Sequence, residues 1–442
     1  MEILEKAQKM LESRPLCDHC LGRQFALLGY NLDNQRRGEA LKILLTMMGH
    51  RLTSVEKRRG ISLLKTLAEN GSFDMAAEIL EKMRKKVGEK RECYLCEGKF
   101  KNLSELVDKV TEKLEGHEYA TFLVGIKLPI KVEEREDEFK AEFEIKHGEN
   151  MRNEFSREIG KRVAEITEKT VDYKKPDIAV IVNPFAQQVI LQVNPLFIAG
   201  RYRKLIRGIP QSKWLCRECQ GKGCQRCGWT GKTYPESVEE IIAAPLLEET
   251  QGEEAILHAT GREDIDARML GRGRPFVMEV KKPKKRLIDL AALTQTINEK
   301  AQGKVGVLKL RFTNRDTVEK LKKGEAAEKI YKAIVEFEKE ISDEEIGVLE
   351  KTLTNATINQ QTPLRVLHRR SDRVREKHIY EAKIKRLTPK RIEMRVRCQG
   401  GLYIKELITG DEGRTDPSVA KIVGAKAEPL ELDVLGVVME MA

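Results

Sequence analysis

The chain has 442 residues, with 81 Lys/Arg against 70 Asp/Glu, a formal net charge of +11, 40% hydrophobic content and only 5% aromatic residues. That length exceeds one typical core, so two or three domains are expected, each with enough apolar content to bury. No uninterrupted apolar run approaches a membrane span, and the N-terminal MEILEKAQKMLESRP reads as an acid-containing amphipathic helix rather than a secretory leader, so a cytoplasmic protein with no membrane partner is expected.

From Met1 to about Glu115 the apolar spacing is helical: Ile3, Leu4, Ala7, Met10 and Leu11, then Ile43, Leu44 and Met47, then Met75, Ile79 and Met83. Two CxxC pairs, Cys17/Cys20 and Cys93/Cys96, flank these helices, and two more, Cys216/Cys219 and Cys224/Cys227, crowd into CRECQGKGCQRCGWTG. A CxxC knuckle brings two thiolates to one tetrahedral ion, so structural zinc is expected, with no open coordination position for catalysis. Neither PLCDHCLG nor RECYLCEG offers the βαβ setting of a redox pair. Cys398 reads as a small buried hydrophobe.

From Tyr119 the period shortens: YATFLVGIKLPIKV, DIAVIVN and QQVILQVN read as β-rich runs around a helix from Asn153 to Lys169. The stretch from Lys175 to Lys213 ends in GRYRKLIRG, where Arg201, Arg203, Lys204 and Arg207 beside Tyr202 suit RNA backbone contacts and one stacking contact. Its strand-turn-strand pair, NP turn and GRYRK segment resemble the THUMP domain, an RNA-binding module attached to tRNA-modifying enzymes.

Past Tyr234 and Pro235 a second α+β unit is predicted, with a mainly antiparallel sheet containing VGVLKLRF, HIYEAKIKRL and RIEMRVRCQG, and helices near Arg315–Lys323 and Ala326–Glu340. Within it GREDIDARMLGRGRPF sets Asp264 and Asp266 among Arg262, Arg268, Arg272 and Arg274. Arginine grips phosphate with a rigid fork, and a carboxylate near phosphates needs cations to stay ionised. From Arg365 to Arg397 thirteen Lys/Arg face four Asp/Glu. A heat-adapted ion-pair surface would balance its signs, so the excess points to a nucleic acid.

Three segments carry matched chemistry: GREDID, the K-x-Y-x-A of Lys329, Tyr331 and Ala333, and GGLYIKELITGDEGRT with Tyr403, Ile404 and Lys405. Together they resemble the motifs of pseudouridine synthases, and nearly the whole chain resembles the archaeal tRNA pseudouridine(54/55) synthases, the Pus-ten family. The resemblance implies that Asp264 of the G-R-x-D motif is the catalytic aspartate and that Tyr331 and Tyr403 bind the uridine. Arg262 or Lys405 would pair with the aspartate, Ile404 would exclude water, and Arg201, Arg203, Lys204, Arg272 and Arg274 would contact RNA. It further implies a tRNA partner, no catalytic cofactor and a monomer. On the residues alone Asp266 competes with Asp264 as the reactive acid, and a non-catalytic tRNA scaffold competes with an enzyme. A methyltransferase would need a glycine-rich dinucleotide loop that is not seen. The expected organisation is an accessory region over 1–230, with the THUMP-like domain at about 55–200, and a catalytic domain over 235–442.

Overall fold

The computed structural model describes residues 3–324 and 327–439, and the chain divides into two compact units between Asn194 and Pro195. In the first unit, helices at Ile3–Ser13, Asp18–Gly22, Asn34–Val55, Lys57–Glu69 and Asp74–Lys82 precede Leu103–Leu114. A four-stranded sheet follows, built from β1 (Thr121–Ile126), β2 (Thr170–Val171), β3 (Ile178–Asn183) and β4 (Gln188–Val193) in the order β2-β1-β3-β4. Alternation buries Phe122 and Val124 of β1 and Ile178, Val180 and Val182 of β3, which share a core with Phe155, Ile159 and Val163 of the helix Met151–Thr167. The second half of the expected β-run at IKV instead opens the helix Ile130–Glu142, whose N-cap is Pro129. Proline is preorganised for a helix start and cannot supply a ladder donor.

Two glycines let the short helix Asp18–Gly22 lie on Asn34–Val55. A Cβ on Gly38 would stand 2.0 Å from the Asp18 carbonyl oxygen, and one on Gly22 1.9 Å from that of Asn34. The buried Lys42 fastens the same contact, donating to the carbonyls of Leu16 (3.0 Å) and Gly71 (2.6 Å) and pairing with Asp18 at 2.7 Å.

The second unit is one ten-stranded sheet made of β5 (Leu196–Lys204), β6 (Glu254–Ala259), β7 (Arg268–Lys281), β8 (Val305–Thr313), β9 (Glu328–Phe337), β10 (Ala356–Gln361), β11 (Val374–Thr388), β12 (Arg391–Cys398), β13 (Thr415–Asp416) and β14 (Ala427–Val438). Its order is β13-β10-β11-β12-β9-β14-β7-β5-β8, with β6 also on β7. Pairing is antiparallel except at β14/β7, which run parallel through only Asp433↔Arg268 and Val434↔Met269. The sheet is therefore mixed, two antiparallel halves meeting at a short parallel seam.

A buried carboxylate clamps that seam. Asp433, with a fully buried side chain, accepts two hydrogen bonds from Arg268 (2.9 and 2.8 Å) and one from Arg207 (2.7 Å). Burial alone would raise its pKa, but Arg268 and Arg207 outweigh that and hold it below the ordinary aspartate range.

Two further sequence expectations change. Residues 196–204, assigned to an accessory region ending at 230, form a central strand of the second unit, because β5 pairs with both β7 and β8. The helix expected over 326–340 is strand β9 where it is described. Ala326 lies outside the described residues, but Lys329, Ala333, Val335 and Phe337 are buried at period two between β12 and β14.

Gly38→Ala tests the first unit's packing. Alanine normally stabilises a helix interior by about 0.5–1 kcal/mol over glycine. Here the methyl meets backbone, so the variant is expected to lose about 1–3 kcal/mol instead, read as a lower midpoint in thermal or chemical unfolding; an unchanged or raised midpoint refutes the close contact.

Candidate active site

The loop Gly261–Ala267, between β6 and β7, is held by side chains that approach it from beneath. On β5, Tyr202 and Lys204 point to the buried face, whereas Arg201 and Arg203 point to the other. The Tyr202 hydroxyl donates to Glu263 (3.1 and 2.9 Å), and Arg274 Nε donates to the same carboxylate at 2.9 Å while its Nη1 takes the Thr260 carbonyl at 2.7 Å. Gln211 donates to the Tyr202 hydroxyl oxygen (2.6 Å) and to the Gly261 carbonyl (3.1 Å). Glu263 and Arg274 are buried to within 1%. Burial, reinforced by the Glu263 charge, pushes the Tyr202 hydroxyl well up, so it stays a donor. Lys204 Nζ then collects three main-chain oxygens, those of Ile209 (2.9 Å), Asp264 (3.0 Å) and Ile265 (3.1 Å), and Arg207 takes that of Asp266 (2.7 Å).

This scaffold aims Asp264 into a cleft of about 780 Å³. Two cations reach the same Asp264 oxygen, Oδ2: Arg365 at 3.4 Å and Lys405 at 3.5 Å. Lys405 bonds more tightly to Asp266, at 2.9 and 2.6 Å, and the Asp266 side chain is 67% exposed. Partial burial opposes it, but the Lys405 hydrogen bond and charge keep Asp266 below its ordinary pKa.

Two tyrosines line the cleft with Asp264. Tyr331 lies on β9 between Val396 of β12 and Val434 of β14. Burial, with the neighbouring Cys398 adding to it, pushes its hydroxyl well above the ordinary tyrosine value. Tyr403 caps the helix Ile404–Thr409, and the buried Gln360 grips its backbone twice, accepting from its N–H at 2.8 Å and donating to its carbonyl at 3.0 Å. Arg365 stands 5.8 Å from the Tyr403 ring centre, and Arg370 donates to the Tyr403 hydroxyl at 3.1 Å. Arg365 is itself fixed by a 2.6 Å bond to the buried Glu406. Ile404, 3% exposed, closes the pocket floor.

The fold thus brings together Asp264, Tyr331, Tyr403, Ile404 and Lys405. Arg262 lines the same cleft, but its guanidinium lies over the Trp214 ring at 5.6 Å, and the second cation on Asp264 is Arg365. Arg365, Gln360 and Glu406 were missed; the sequence signals were the basic excess that begins at Arg365 and the place of Glu406 within GGLYIKELITGDEGRT. The RNA-contact set changes most. Arg274 and Lys204 are buried and serve the loop, while Arg201 donates to the carbonyls of Gly273 (2.8 Å) and Met439 (2.6 Å) and Arg203 to that of Gly271 (2.7 Å). Arg272 is exposed, and alone of that set it makes no such bond among the described residues. Arg268 of the same segment turns instead to Asp433, to which it donates through two nitrogens.

Both cysteine sets assemble. The sulfurs of Cys17, Cys20, Cys93 and Cys96, and those of Cys216, Cys219, Cys224 and Cys227, lie within 4.8 Å of one another in each group. Closest separations of 3.6 Å (Cys17/Cys96) and 3.7–3.8 Å in the second group match the roughly 3.8 Å edge of a zinc tetrathiolate with bonds of about 2.3 Å. Among the described residues no helix is long and apolar enough to cross a membrane.

Residues 197–438 match the family model described as Pus10, C-terminal, and residues 106–183 match the archaeal Pus10 THUMP domain, which ends before the GRYRK segment. The chain is 45% identical, over 98% of its length and 94% of the relative's, to the tRNA pseudouridine synthase Pus10 of Methanocaldococcus jannaschii. It is 42% identical over 99% of both chains to that of Methanothermobacter marburgensis. A solved Cbf5-Nop10-Gar1 complex aligns over 53% of this chain and 47% of its own at 16% identity, with a TM-score of 0.30.

Metal analysis of protein purified without chelator is expected to find two zinc ions per chain, and one after Cys20→Ser; none would overturn the ligand sets. Glu263→Gln leaves Arg274 buried without its counter-charge and is expected to cost about 3–5 kcal/mol. Denaturant unfolding reads this directly, and a loss below about 1 kcal/mol would show that the pair does not hold the loop.

Proposed function

Because the chain belongs to the Pus10 family of tRNA pseudouridine synthases, we propose that it isomerises uridine to pseudouridine in the T-loop of tRNA, at positions 54 and 55, with Asp264 as the catalytic residue. The observation that supports this most is an acid set between two cations, Arg365 and Lys405, in a cleft that also holds Tyr331 and Tyr403.

Isomerisation breaks the C1′–N1 bond, forms C1′–C5, removes the C5 proton and returns one to N1. No electrons change hands, so no redox cofactor is required. A carboxylate beside C1′ either attacks it or balances the positive charge that develops there, as in glycoside cleavage. Arg365 and Lys405 set two positive charges beside the carboxylate oxygen that both routes use. Tyr331, protonated at neutral pH as any tyrosine is and shifted further up by burial, packs the uracil and can donate a hydrogen bond to it. Tyr403 forms a second wall, and Ile404 keeps water from the detached base. Asp266 serves as the anchor of Lys405. Zinc, where bound, supplies only structure, since four thiolates leave no position for a reacting group. Arg272, exposed at the start of β7, contacts the RNA backbone.

Purified protein incubated with unmodified tRNA is expected to release a tritium label from uridine C5 without added cofactor, and carbodiimide mapping is expected to place pseudouridine in the T-loop. Asp264→Ala should lower the rate by roughly 10³-fold or more, whereas Asp266→Ala should cost no more than about tenfold, as loss of an exposed ion pair does. Conversion that survives Asp264→Ala removes the catalytic assignment. Binding of tRNA with no conversion by the parent chain leaves a scaffold.

A further inference from the structure

The knuckle Cys216–Cys227 is placed where it can act on substrate. At its base Leu215 bridges to Lys232, the Thr233 N–H donates to the Trp214 carbonyl at 2.9 Å, and the Trp214 and Tyr234 rings meet edge to face at 5.5 Å. Lys232 pairs with Glu240 (2.7 Å) and the Lys213 N–H donates to Glu239 (3.1 Å), both acids on the helix Val238–Thr250. Trp214 also packs on Arg262, and a depression of about 230 Å³ lined by Trp214, Arg262, Asp266 and Lys405 adjoins the catalytic loop. The knuckle therefore stands on the rim of the Asp264 cleft.

Its outer surface has the composition of a nucleic-acid reader. Residues 213–232 hold Lys213, Arg217, Lys222, Arg226 and Lys232 against the single acid Glu218, an excess of four. Even the net charge of −2 on a zinc tetrathiolate leaves the segment basic. Trp229 is 76% exposed at φ +63°, a conformation that a bulky side chain rarely adopts. The turn fixes it, with the Trp229 N–H donating to the Cys224 carbonyl at 2.9 Å. A large indole turned to water buries nothing in the fold, and strained, solvent-facing residues are found where function requires them.

We propose that this knuckle is an RNA-contact module in which Trp229 stacks on an unpaired base of the tRNA substrate while Arg217 and Lys222 engage its phosphates. The metal holds the tip in shape, and the Trp214–Arg262 contact keeps it beside the reacting uridine. The inference rests on tRNA being the substrate.

Affinity for unmodified tRNA is measured on the Asp264→Ala chain, so that turnover does not intervene. Trp229→Ala in that background is expected to weaken binding by roughly 5- to 100-fold, the worth of one stacked base, with zinc content and unfolding midpoint unchanged. Arg217→Ala with Lys222→Ala should reduce the slope of log affinity against log salt by about 1.4, two single-strand phosphates at about 0.7 each. In a Trp214→Phe background Trp229 is the sole tryptophan, and its emission is expected to be quenched as tRNA saturates. Unchanged affinity in Trp229→Ala, together with unquenched Trp229 emission, would make the knuckle structural only. Failure of the parent Asp264→Ala chain to bind tRNA at all would instead overturn the substrate assignment.

Discussion

The buried carboxylate of Glu263, shared by Arg274 and Tyr202, is the interaction on which the active-site loop depends. Taking an acid and a guanidinium out of water costs several kcal/mol for each ion, and their attraction offsets this only when the remaining donors and acceptors are satisfied. Here Arg274 also bonds the Thr260 carbonyl and Gln211 completes the Tyr202 hydroxyl, so the network closes on the backbone of the loop it supports. Lys204 and Arg207 extend the principle to the carbonyls of Asp264, Ile265 and Asp266. A loop whose main-chain oxygens are captured from below holds its backbone, and so the point from which the Asp264 side chain projects, in place beside the cleft. That is the rigidity a carboxylate needs when a displacement of about 1 Å is costly.

The parallel seam supplies the space that this loop fills. β14 and β7 share only two register positions, so the two antiparallel halves diverge beside them, and Asp433 with Arg268 and Arg207 keeps them from separating further. The cleft opens at that divergence, with Tyr331 contributed from β9 and Asp264 from the loop leading into β7. Arg207 belongs to both systems, since it binds the Asp266 carbonyl and Asp433. Sheet closure and loop position are therefore coupled through one guanidinium.

Much of this was legible in the chain. The four CxxC pairs and the mainly antiparallel second sheet follow from spacing and pattern, and the convergence of Asp264, Tyr331, Tyr403 and Lys405 is what the family resemblance of their motifs implied. The errors share a cause. Arg201, Arg203, Lys204 and Arg274 read as phosphate contacts because residue type records charge, whereas their partners are carbonyls and a carboxylate brought together by long-range pairing of β5, β7 and the loop. Period-two burial would have separated Lys204 from Arg203, but only once the segment was known to be a central strand. In β9 the charged Lys329, Lys332 and Glu336 obscured a strand whose alternate positions Ala333, Val335 and Phe337 are buried between two neighbours. Gln360 carries no motif, and Glu406, though inside GGLYIKELITGDEGRT, gives no sign in sequence of its partner: their importance comes from the Tyr403 backbone and Arg365 that they hold.

The two cysteine clusters show how burial decides what surrounding charge is for. Cys20, Cys93 and Cys96 are buried, and a tetrathiolate there carries negative charge into a low-dielectric interior. Arg23, fully buried, answers it through Nη1, 3.4 Å from the Cys20 sulfur and 3.3 Å from Glu154, while its Nε donates to Glu136 at 3.1 Å. That cation belongs to the fold and has no surface left to offer. The second cluster sits at a surface, where solvent screens its thiolates and no buried counter-ion is required. Its basic side chains are consequently not consumed by the metal site. A charged residue near a cysteine knuckle thus has two distinct physical roles, and solvent access distinguishes them: at Cys20 the arginine stabilises the site, and at Cys216–Cys227 the bases face outward.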